Sequence, residues 1–119
     1  MSALLDTNAI LYLLGGRVAE PLPAGQYYVS VISEIELLSY PLLDAAEEDR
    51  IRSFLSEAAL IELTPSVRTA AIELRRQHKL KVPDAIIAAS ALTLGVELLT
   101  NDPHLLRIPA LQCRSLRLK

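Results

Sequence analysis

The sequence predicts an α/β domain over residues 1–119, with a parallel sheet between two layers of helices. The main observation is that short apolar runs of strand type alternate with helical patterns along the chain. Strands separated in this way form right-handed βαβ units, whose strands are parallel and whose helices cover both faces of the sheet. A second observation is the length of 119 residues with 51% hydrophobic side chains, which fits one folded core. No repeat, low-complexity tract or linker divides the chain.

Five apolar runs predict the strands. The run at 3–5 is short and uncharged, whereas 27–31 is rich in aromatic and β-branched residues, which favour strands. The remaining predicted strands cover residues 60–63, 97–100 and 112–116. Pro21, Pro23 and Gly25 precede the second strand and indicate a loop within the domain.

Start and stop signals place the helices between these strands. A helix is expected at 8–14, and Ser33 with Glu36 three residues later has the pattern of a capping box. A mostly polar helix follows at 44–57. Thr64-Pro65 predicts a cap followed by proline at the first helical position. The last predicted helix begins at Pro83, is rich in alanine and isoleucine, and ends at Gly95.

The charge is unevenly distributed along the chain. The net charge is −2, yet residues 1–67 carry ten acids and three bases, whereas 68–119 carry nine bases and four acids. This asymmetry is compatible with a basic face for phosphates, and equally with scattered surface charge. The single cysteine, Cys113, excludes an internal disulfide and suits a reducing compartment. With no basic leader and no apolar stretch of bilayer length, a cytoplasmic protein is expected.

Four acidic residues lie at strand ends or in the first turn of the following helix. They are Asp6, Glu36, Asp84 and Asp102. In a parallel sheet the carboxyl ends of the strands meet at one edge, and ligands bind there where the strand order reverses. We therefore expect the four carboxylates to converge on one crevice.

Each acid also has an ordinary structural explanation. Asp6 and Asp102 have the positions of helix N-caps, and Asp84 has the position of an acid that favours a helix dipole. Glu36 could close a capping box with Ser33. Glu34 competes with Glu36, but residues two apart face different sides of a helix, and we place Glu34 in solvent.

The four acids together predict a site for a hard divalent cation. Clustered carboxylates raise one another's pKa unless a cation is present, and oxygen ligands select Mg²⁺ or Mn²⁺ over zinc. His78 and His104 have no partner at zinc-ligand spacing and are expected at the surface.

The sequence around these acids resembles the PIN domains, and most closely the VapC-type toxins of bacterial toxin–antitoxin pairs. The resemblance covers almost the whole chain, with four motifs in the family's order. They are Leu4-Leu5-Asp6-Thr7-Asn8, Val31-Ile32-Ser33-Glu34-Ile35-Glu36-Leu37, Lys81-Val82-Pro83-Asp84-Ala85-Ile86-Ile87-Ala88-Ala89 and Leu99-Thr100-Asn101-Asp102. The third motif is the most specific.

The resemblance implies a five-stranded parallel sheet and Mg²⁺- or Mn²⁺-dependent hydrolysis of single-stranded RNA. It implies that Asp6, Glu36 and Asp84 hold the metal, while Asp102 completes the site or orients a water. It also implies a homodimer and a small antitoxin that inserts a segment near the site. The stretch at 15–26 is shorter than in many members of the family. In those relatives it contains a helix to which the antitoxin binds.

Two further sets of side chains are candidates for supporting roles. Hydrogen bonds to water and phosphate are expected from Thr7, Asn8, Thr100 and Asn101. The candidates for contacts with the RNA backbone are Arg75, Arg76, Lys79 and Lys81. These four cations also fit a solvated helix end, since cations are favoured at a helix C-terminus.

Two other functions are compatible with the acids. One is an RNA-binding or regulatory module of the same fold with negligible catalysis. The other is a phosphoryl-transfer domain of the receiver or haloacid-dehalogenase kind, with Asp6 as nucleophile. The dehalogenase pattern requires a second aspartate two residues later, and position 8 is asparagine.

Overall fold

The computed structural model describes all 119 residues and contains five strands and six helices. The strands are β1 (Ser2–Leu5), β2 (Gln26–Ser30), β3 (Ala59–Ile61), β4 (Glu97–Leu99) and β5 (Cys113–Arg114). The helices are α1 (Thr7–Leu14), α2 (Val31–Leu38), α3 (Ala45–Glu57), α4 (Pro65–His78), α5 (Val82–Leu94) and α6 (Pro103–Leu106).

The five strands form one parallel sheet in the order β3-β2-β1-β4-β5. The chain builds outwards from β1 to β3 and then crosses over to β4 on the other side of β1. Leu5 pairs with Val29 of β2 and Leu99 of β4, so β1 and β4 end at the same level and β2 continues for one more residue. The strand order therefore reverses between β1 and β4, where α/β sheets bind ligands.

Alternate residues of the central strands face two separate hydrophobic cores. Leu4 and Leu98 pack in the core that contains α4 and α5. Leu5 and Leu99 pack in the core that contains buried residues of α1, α2 and α3. Because successive strand residues point to opposite faces, the sheet has helices on both sides. This confirms the predicted three-layer α/β/α architecture with a five-stranded parallel sheet.

The predicted start and stop signals hold for the long helices. Thr64 caps α4 by accepting a hydrogen bond from the amide of Val67. Gly95 ends α5 with a φ of 70°, a left-handed conformation that suits glycine. Residues 85–91 of α5 are all buried, as expected for a helix so rich in apolar residues. The position of α5 against the sheet therefore fixes where its first turn lies.

The predicted start of α2 is wrong. Its N-cap is Ser30, whose hydroxyl accepts a hydrogen bond from the amide of Ile32 at 3.1 Å. Val31 and Ile32 look like strand residues, yet they occupy the first turn because β2 already ends at Ser30. Ser33 therefore lies inside the helix, fully buried, and makes no capping box with Glu36.

Between α1 and β2 the chain contains no helix. Val18 instead forms an antiparallel bridge with Leu118, which ties this stretch to the end of the chain. The edge strands β3 and β5 are shorter than predicted, at three and two residues. None of the helices is long and apolar enough to span a lipid bilayer.

Candidate metal centre

Asp6 lies directly after β1 and caps α1. Its Oδ1 accepts a hydrogen bond of 2.7 Å from the amide of Ala9, and its own amide donates to the carbonyl of Leu99 on β4. The residue is only 7% exposed. The capping role is therefore real, and it aims the carboxylate at the crevice between β1 and β4.

Thr100 lies close to both Asp6 and Asp102. Its buried hydroxyl accepts a hydrogen bond of 3.0 Å from the amide of Asp102 and lies close enough to the carboxylate of Asp6 to lower the pKa of that group. Asp102 in turn caps α6 through a 2.8 Å bond from the amide of His104 to Oδ1. The ordinary capping explanation is thus also correct for Asp102. It occupies only one of the two carboxylate oxygens.

Asp84 lies in the first turn of α5 and is half-buried. Its carboxylate makes no hydrogen bond within the protein and no ion pair. It is close enough to Asp102 and Glu36 for both negative charges to raise its pKa. Of the four acids, Asp84 therefore has the side chain most free to bind a ligand.

Glu36 is held at the site by a chain of hydroxyl groups. Thr7 donates a 2.6 Å hydrogen bond from Oγ1 to Oε1 of Glu36. Since this uses the proton of Thr7, the 2.8 Å contact between Thr7 and Ser33 requires Ser33 to donate. The sequence did not identify Ser33 as a site residue. Its spacing one turn before Glu36 was the available signal, but that spacing also predicted a helix cap.

The relative exposure predicted for the two glutamates of α2 is wrong. Glu34 is half-buried, whereas Glu36 is exposed. It is nonetheless Glu36 that bonds to Thr7 and affects the pKa of Asp84. Exposure alone therefore did not distinguish the site residue from its neighbour.

The pKa values of Asp6 and Asp84 are both raised. For Asp6 the largest cause is burial, and Asp102 and Asp84 add repulsion, while hydrogen bonds from Thr100 and Ala9 act in the opposite direction. Burial is also the largest cause for Asp84, followed by the charges of Asp102 and Glu36; the positive charges of Lys81 and His104 oppose the rise. Desolvated acids that repel one another indicate a place for a cation.

The chemistry of this donor set fits Mg²⁺ or Mn²⁺. All four side chains offer hard oxygen ligands, and none of them forms an ion pair with lysine or arginine. As the side chains stand, no three of them are close enough to hold one ion together. Binding of one ion by three of these acids would therefore require a rearrangement of their side chains.

The other predicted polar residues are placed unequally. Thr7 and Thr100 contact the acids directly, as described above. Asn8 is exposed in the first turn of α1 and makes no side-chain hydrogen bond. Asn101 faces the C-terminal segment, because its amide donates to the carbonyl of Leu116 and accepts from the amide of the same residue. The structure therefore gives Asn101 a role in holding that segment.

Of the four basic candidates, only Lys81 acts on the pKa of Asp6 or Asp84. Its positive charge lowers the pKa of Asp84. Arg75 bonds to the carbonyl of Leu80 at 2.9 Å, and Arg76 pairs with Glu73. Lys79 is exposed at the C-terminus of α4, with a left-handed φ of 54°. The alternative explanation, a solvated helix end, thus describes the positions of Arg76 and Lys79.

The two histidines lie close together. His104 is exposed, as expected, but His78 is half-buried. The Nε2 atom of His104 is 2.9 Å from the backbone carbonyl oxygen of His78. Neither the sequence spacing nor the resemblance had connected these residues to the acids.

A groove of about 330 Å³ lies beside the acids, between α1, α2 and α3. Its walls are largely apolar, and Thr7 and Glu36 also line it. The other lining residues are Leu11, Leu14, Gly15, Leu37, Tyr40, Leu43, Glu47, Arg50 and Ile51. The groove therefore shares Glu36 with the candidate metal centre.

Comparison with known proteins agrees with the observed fold. A family model described as PIN domain matches residues 3–111. The chain is 32% identical to a chain in the structure of a toxin–antitoxin complex from Klebsiella pneumoniae, with a TM-score of 0.77. That match covers 92% of this chain and 94% of the other.

More distant structures share the same fold. The structure of VapBC2 from Rickettsia felis bound to a DNA fragment from its promoter has 21% identity and a TM-score of 0.81, and the match covers 98% of this chain and 100% of that one. DNA-bound VapBC from Salmonella typhimurium has 19% identity and a TM-score of 0.79, with 97% and 98% covered. No curated protein matches the chain significantly.

Proposed function

Because this chain belongs to the PIN domain family, we propose that it is a metal-dependent endoribonuclease that hydrolyses phosphodiester bonds of single-stranded RNA. Members of the family are typically nucleases. We further propose that the protein is the toxin of a toxin–antitoxin pair. Because the chain belongs to this family, it is not a receiver or haloacid-dehalogenase domain with Asp6 as nucleophile.

One observation carries the proposal of catalysis. Asp6 and Asp102 follow the two strands between which the strand order reverses, Asp84 is close enough to Asp102 and Glu36 to be repelled by both, and no lysine or arginine is paired with any of the four. A module that only bound RNA would need cations at this position, because phosphates are repelled by acids. Unpaired acids in the crevice instead serve a bound cation.

The four acids would contribute to a metal site in different ways. Asp6 offers the carboxylate oxygen that is free of the α1 cap, Asp84 offers an unbonded carboxylate, and Glu36 is oriented by Thr7. When bound, Mg²⁺ or Mn²⁺ would offset charge on the attacked phosphate and lower the pKa of water. Asp102 would complete the set or orient a water with its second oxygen.

The hydroxyl groups fix these acids before substrate arrives. The amide of Asp6 donates to the carbonyl of Leu99, which joins the turns after β1 and β4, and Thr100 accepts from the backbone of Asp102 next to Asp6. Thr7 orients the carboxylate of Glu36 through a hydrogen bond, and Ser33 in turn bonds to Thr7. Ligands held in this way lose less freedom on binding a metal. Lys81, beside Asp84, is the best placed of the basic candidates to contact an RNA phosphate.

The antitoxin is proposed from the complexes of similar chains and from the groove. The relative from Klebsiella pneumoniae was solved in a toxin–antitoxin complex. In this chain Glu36 lines a largely apolar groove, together with Leu11 and Tyr40, which are about half exposed. A peptide segment with apolar side chains would bury these residues and reach the metal centre, which couples binding to inhibition.

A homodimer is proposed from the family resemblance, and light scattering on the purified chain would test it. Because the proposed substrate is cellular RNA, we expect the protein to act in the cytoplasm. The single thiol of Cys113 would remain reduced there.

The test of the proposed function is cleavage of a fluorescently labelled single-stranded RNA by the purified chain during titration with Mn²⁺ or Mg²⁺. The proposal requires cleavage that rises with metal and stops in EDTA. Metal-independent binding of RNA without cleavage would instead support the regulatory module.

A further inference from the structure

The imidazole of His104 joins two parts of the metal centre that are distant in sequence. Its Nε2 lies 2.9 Å from the carbonyl oxygen of His78, the last residue of α4. A carbonyl oxygen can only accept, so Nε2 carries the proton and donates. The backbone amide of the same residue donates to Oδ1 of Asp102. One residue thus contacts Asp102 and the end of α4.

The end of α4 leads directly to Asp84. After His78 the chain makes a tight turn, with Lys79 in a left-handed conformation and Leu80 buried, and α5 begins at Val82. Arg75, near the end of α4, stabilises this turn by donating a hydrogen bond to the carbonyl of Leu80. The α4–α5 turn therefore connects the residue that His104 contacts to the first turn of α5, which carries Asp84.

The two segments that His104 connects carry charges that repel. Asp102 and Asp84 face each other closely enough for Asp102 to raise the pKa of Asp84. Asp102 belongs to α6, a helix of only four residues, which is anchored in the core by Leu105. Without a further link, repulsion would favour a wider separation of the two carboxylates.

We infer that His104 is a positioning residue for the metal centre, because its hydrogen bond to His78 sets the separation of Asp102 and Asp84. This inference rests on the proposed metal-dependent function. His104 itself need not touch the metal or the substrate. Its effect is to reduce the rearrangement that binding a cation demands.

The experiment compares Mn²⁺ affinity, measured by isothermal titration calorimetry, for the full chain and three variants. His104→Ala removes the donor and is expected to weaken binding about tenfold, the usual size for loss of an outer-shell partner. His104→Gln can donate from its own Nε2 to the same carbonyl, so it should bind nearly as tightly as the wild type. His78→Ala keeps the backbone carbonyl and should also bind normally.

The outcomes separate this inference from the proposed function. Equal Mn²⁺ affinity for the wild type and His104→Ala would overturn the positioning role while leaving the metal site intact. A His104→Gln variant as weak as His104→Ala would also overturn it. A wild-type chain that binds no Mn²⁺ would contradict the proposed function itself.

A metal-free measurement tests the hydrogen bond directly. Long-range ¹H–¹⁵N NMR of the wild type at neutral pH, in EDTA, should show the His104 ring protonated on Nε2. A ring protonated on Nδ1 alone would contradict the geometry on which the inference depends.

Discussion

Thr7 donates a hydrogen bond from its Oγ1 to Oε1 of Glu36 across 2.6 Å, although 29 positions separate the two residues in sequence. The bond joins the first turn of α1 to α2. The buried hydroxyl of Ser33 completes the chain by donating to Thr7. An exposed glutamate therefore has its orientation fixed from the protein interior.

Thr7→Val is expected to lower both metal affinity and RNA cleavage. Valine has a similar shape but cannot donate to Glu36, so we expect a loss of about tenfold in Mn²⁺ affinity. Thr7→Ser should retain most of the activity. Calorimetric titration with Mn²⁺ and the RNA cleavage rate are the measurements, and normal values for Thr7→Val would disprove the orienting role.

The same variant should be less stable, because it leaves the buried hydroxyl of Ser33 without a partner. An unsatisfied buried group costs about 1–3 kcal/mol, whereas removal of both partners is nearly neutral. The double variant Thr7→Val with Ser33→Ala should therefore recover thermal stability without recovering cleavage. Thermal unfolding followed by circular dichroism measures this, and recovery of both properties would contradict the proposed separation.

Asp84→Asn is expected to abolish Mg²⁺-dependent cleavage and leave the fold intact. The change removes the carboxylate that makes no hydrogen bond or ion pair within the protein, so little structure depends on it. Asp49→Asn, an exposed residue on α3, is the matched control and should cleave normally. Cleavage at the wild-type rate by Asp84→Asn would rule out its assignment as a metal ligand.

The stability of the metal-free protein should fall as the pH rises towards neutrality. Asp6 and Asp84 have raised pKa values, chiefly because they are buried, so the folded state holds their protons more tightly than the unfolded state. Their contribution is fully present below the unfolded pKa of about 4 and is lost as the pH rises through the folded values.

Two measurements follow from this sign. In EDTA at pH 7, Asp6→Asn should unfold at a higher temperature than the wild type, because asparagine retains an oxygen for the α1 cap and carries no charge. Added Mn²⁺ should stabilise the wild type more than the variant. A lower unfolding temperature for Asp6→Asn in EDTA would show that its charge stabilises the folded state.

Leu11→Glu should prevent binding of the proposed antitoxin without reducing the proposed RNA cleavage. Leu11 lines the apolar groove and is 49% exposed, so glutamate can be accommodated in the free protein but repels an apolar peptide segment. Ile72→Glu, on α4 with 53% exposure, is the control. Co-purification with the antitoxin gives the readout. Normal complex formation by Leu11→Glu would place the interface elsewhere.

Much of the fold followed from local patterns. Thr64-Pro65 at the start of α4 and Gly95 at the end of α5 are signals whose physics is contained in a few adjacent residues. Alternation of strands and helices then implied a parallel sheet, since short βαβ connections permit little else. The start of α2 was predicted wrongly because Ser30 and Ser33 are both good caps. Only the end of the pairing in β2 decides between them.

The candidate acids could be identified from the sequence because each lies at a strand end or in a first turn. The contacts and the exposure of these acids could not be predicted from the sequence. The buried hydroxyl of Ser33, the use of Asn101 to hold Leu116 and the exposure of Glu34 relative to Glu36 depend on contacts between distant segments.

The sequence by itself thus predicted the four candidate carboxylates, since local pattern and spacing assign each of them to a strand end or to the first turns of the following helix. The tertiary structure alone decided how they are held. Thr7 bonds to Glu36, the amide of Asp6 bonds to the carbonyl of Leu99, and His104 reaches the end of α4. These contacts join residues that only the pairing of strands and the packing of helices on the sheet bring together, and no local pattern encodes them.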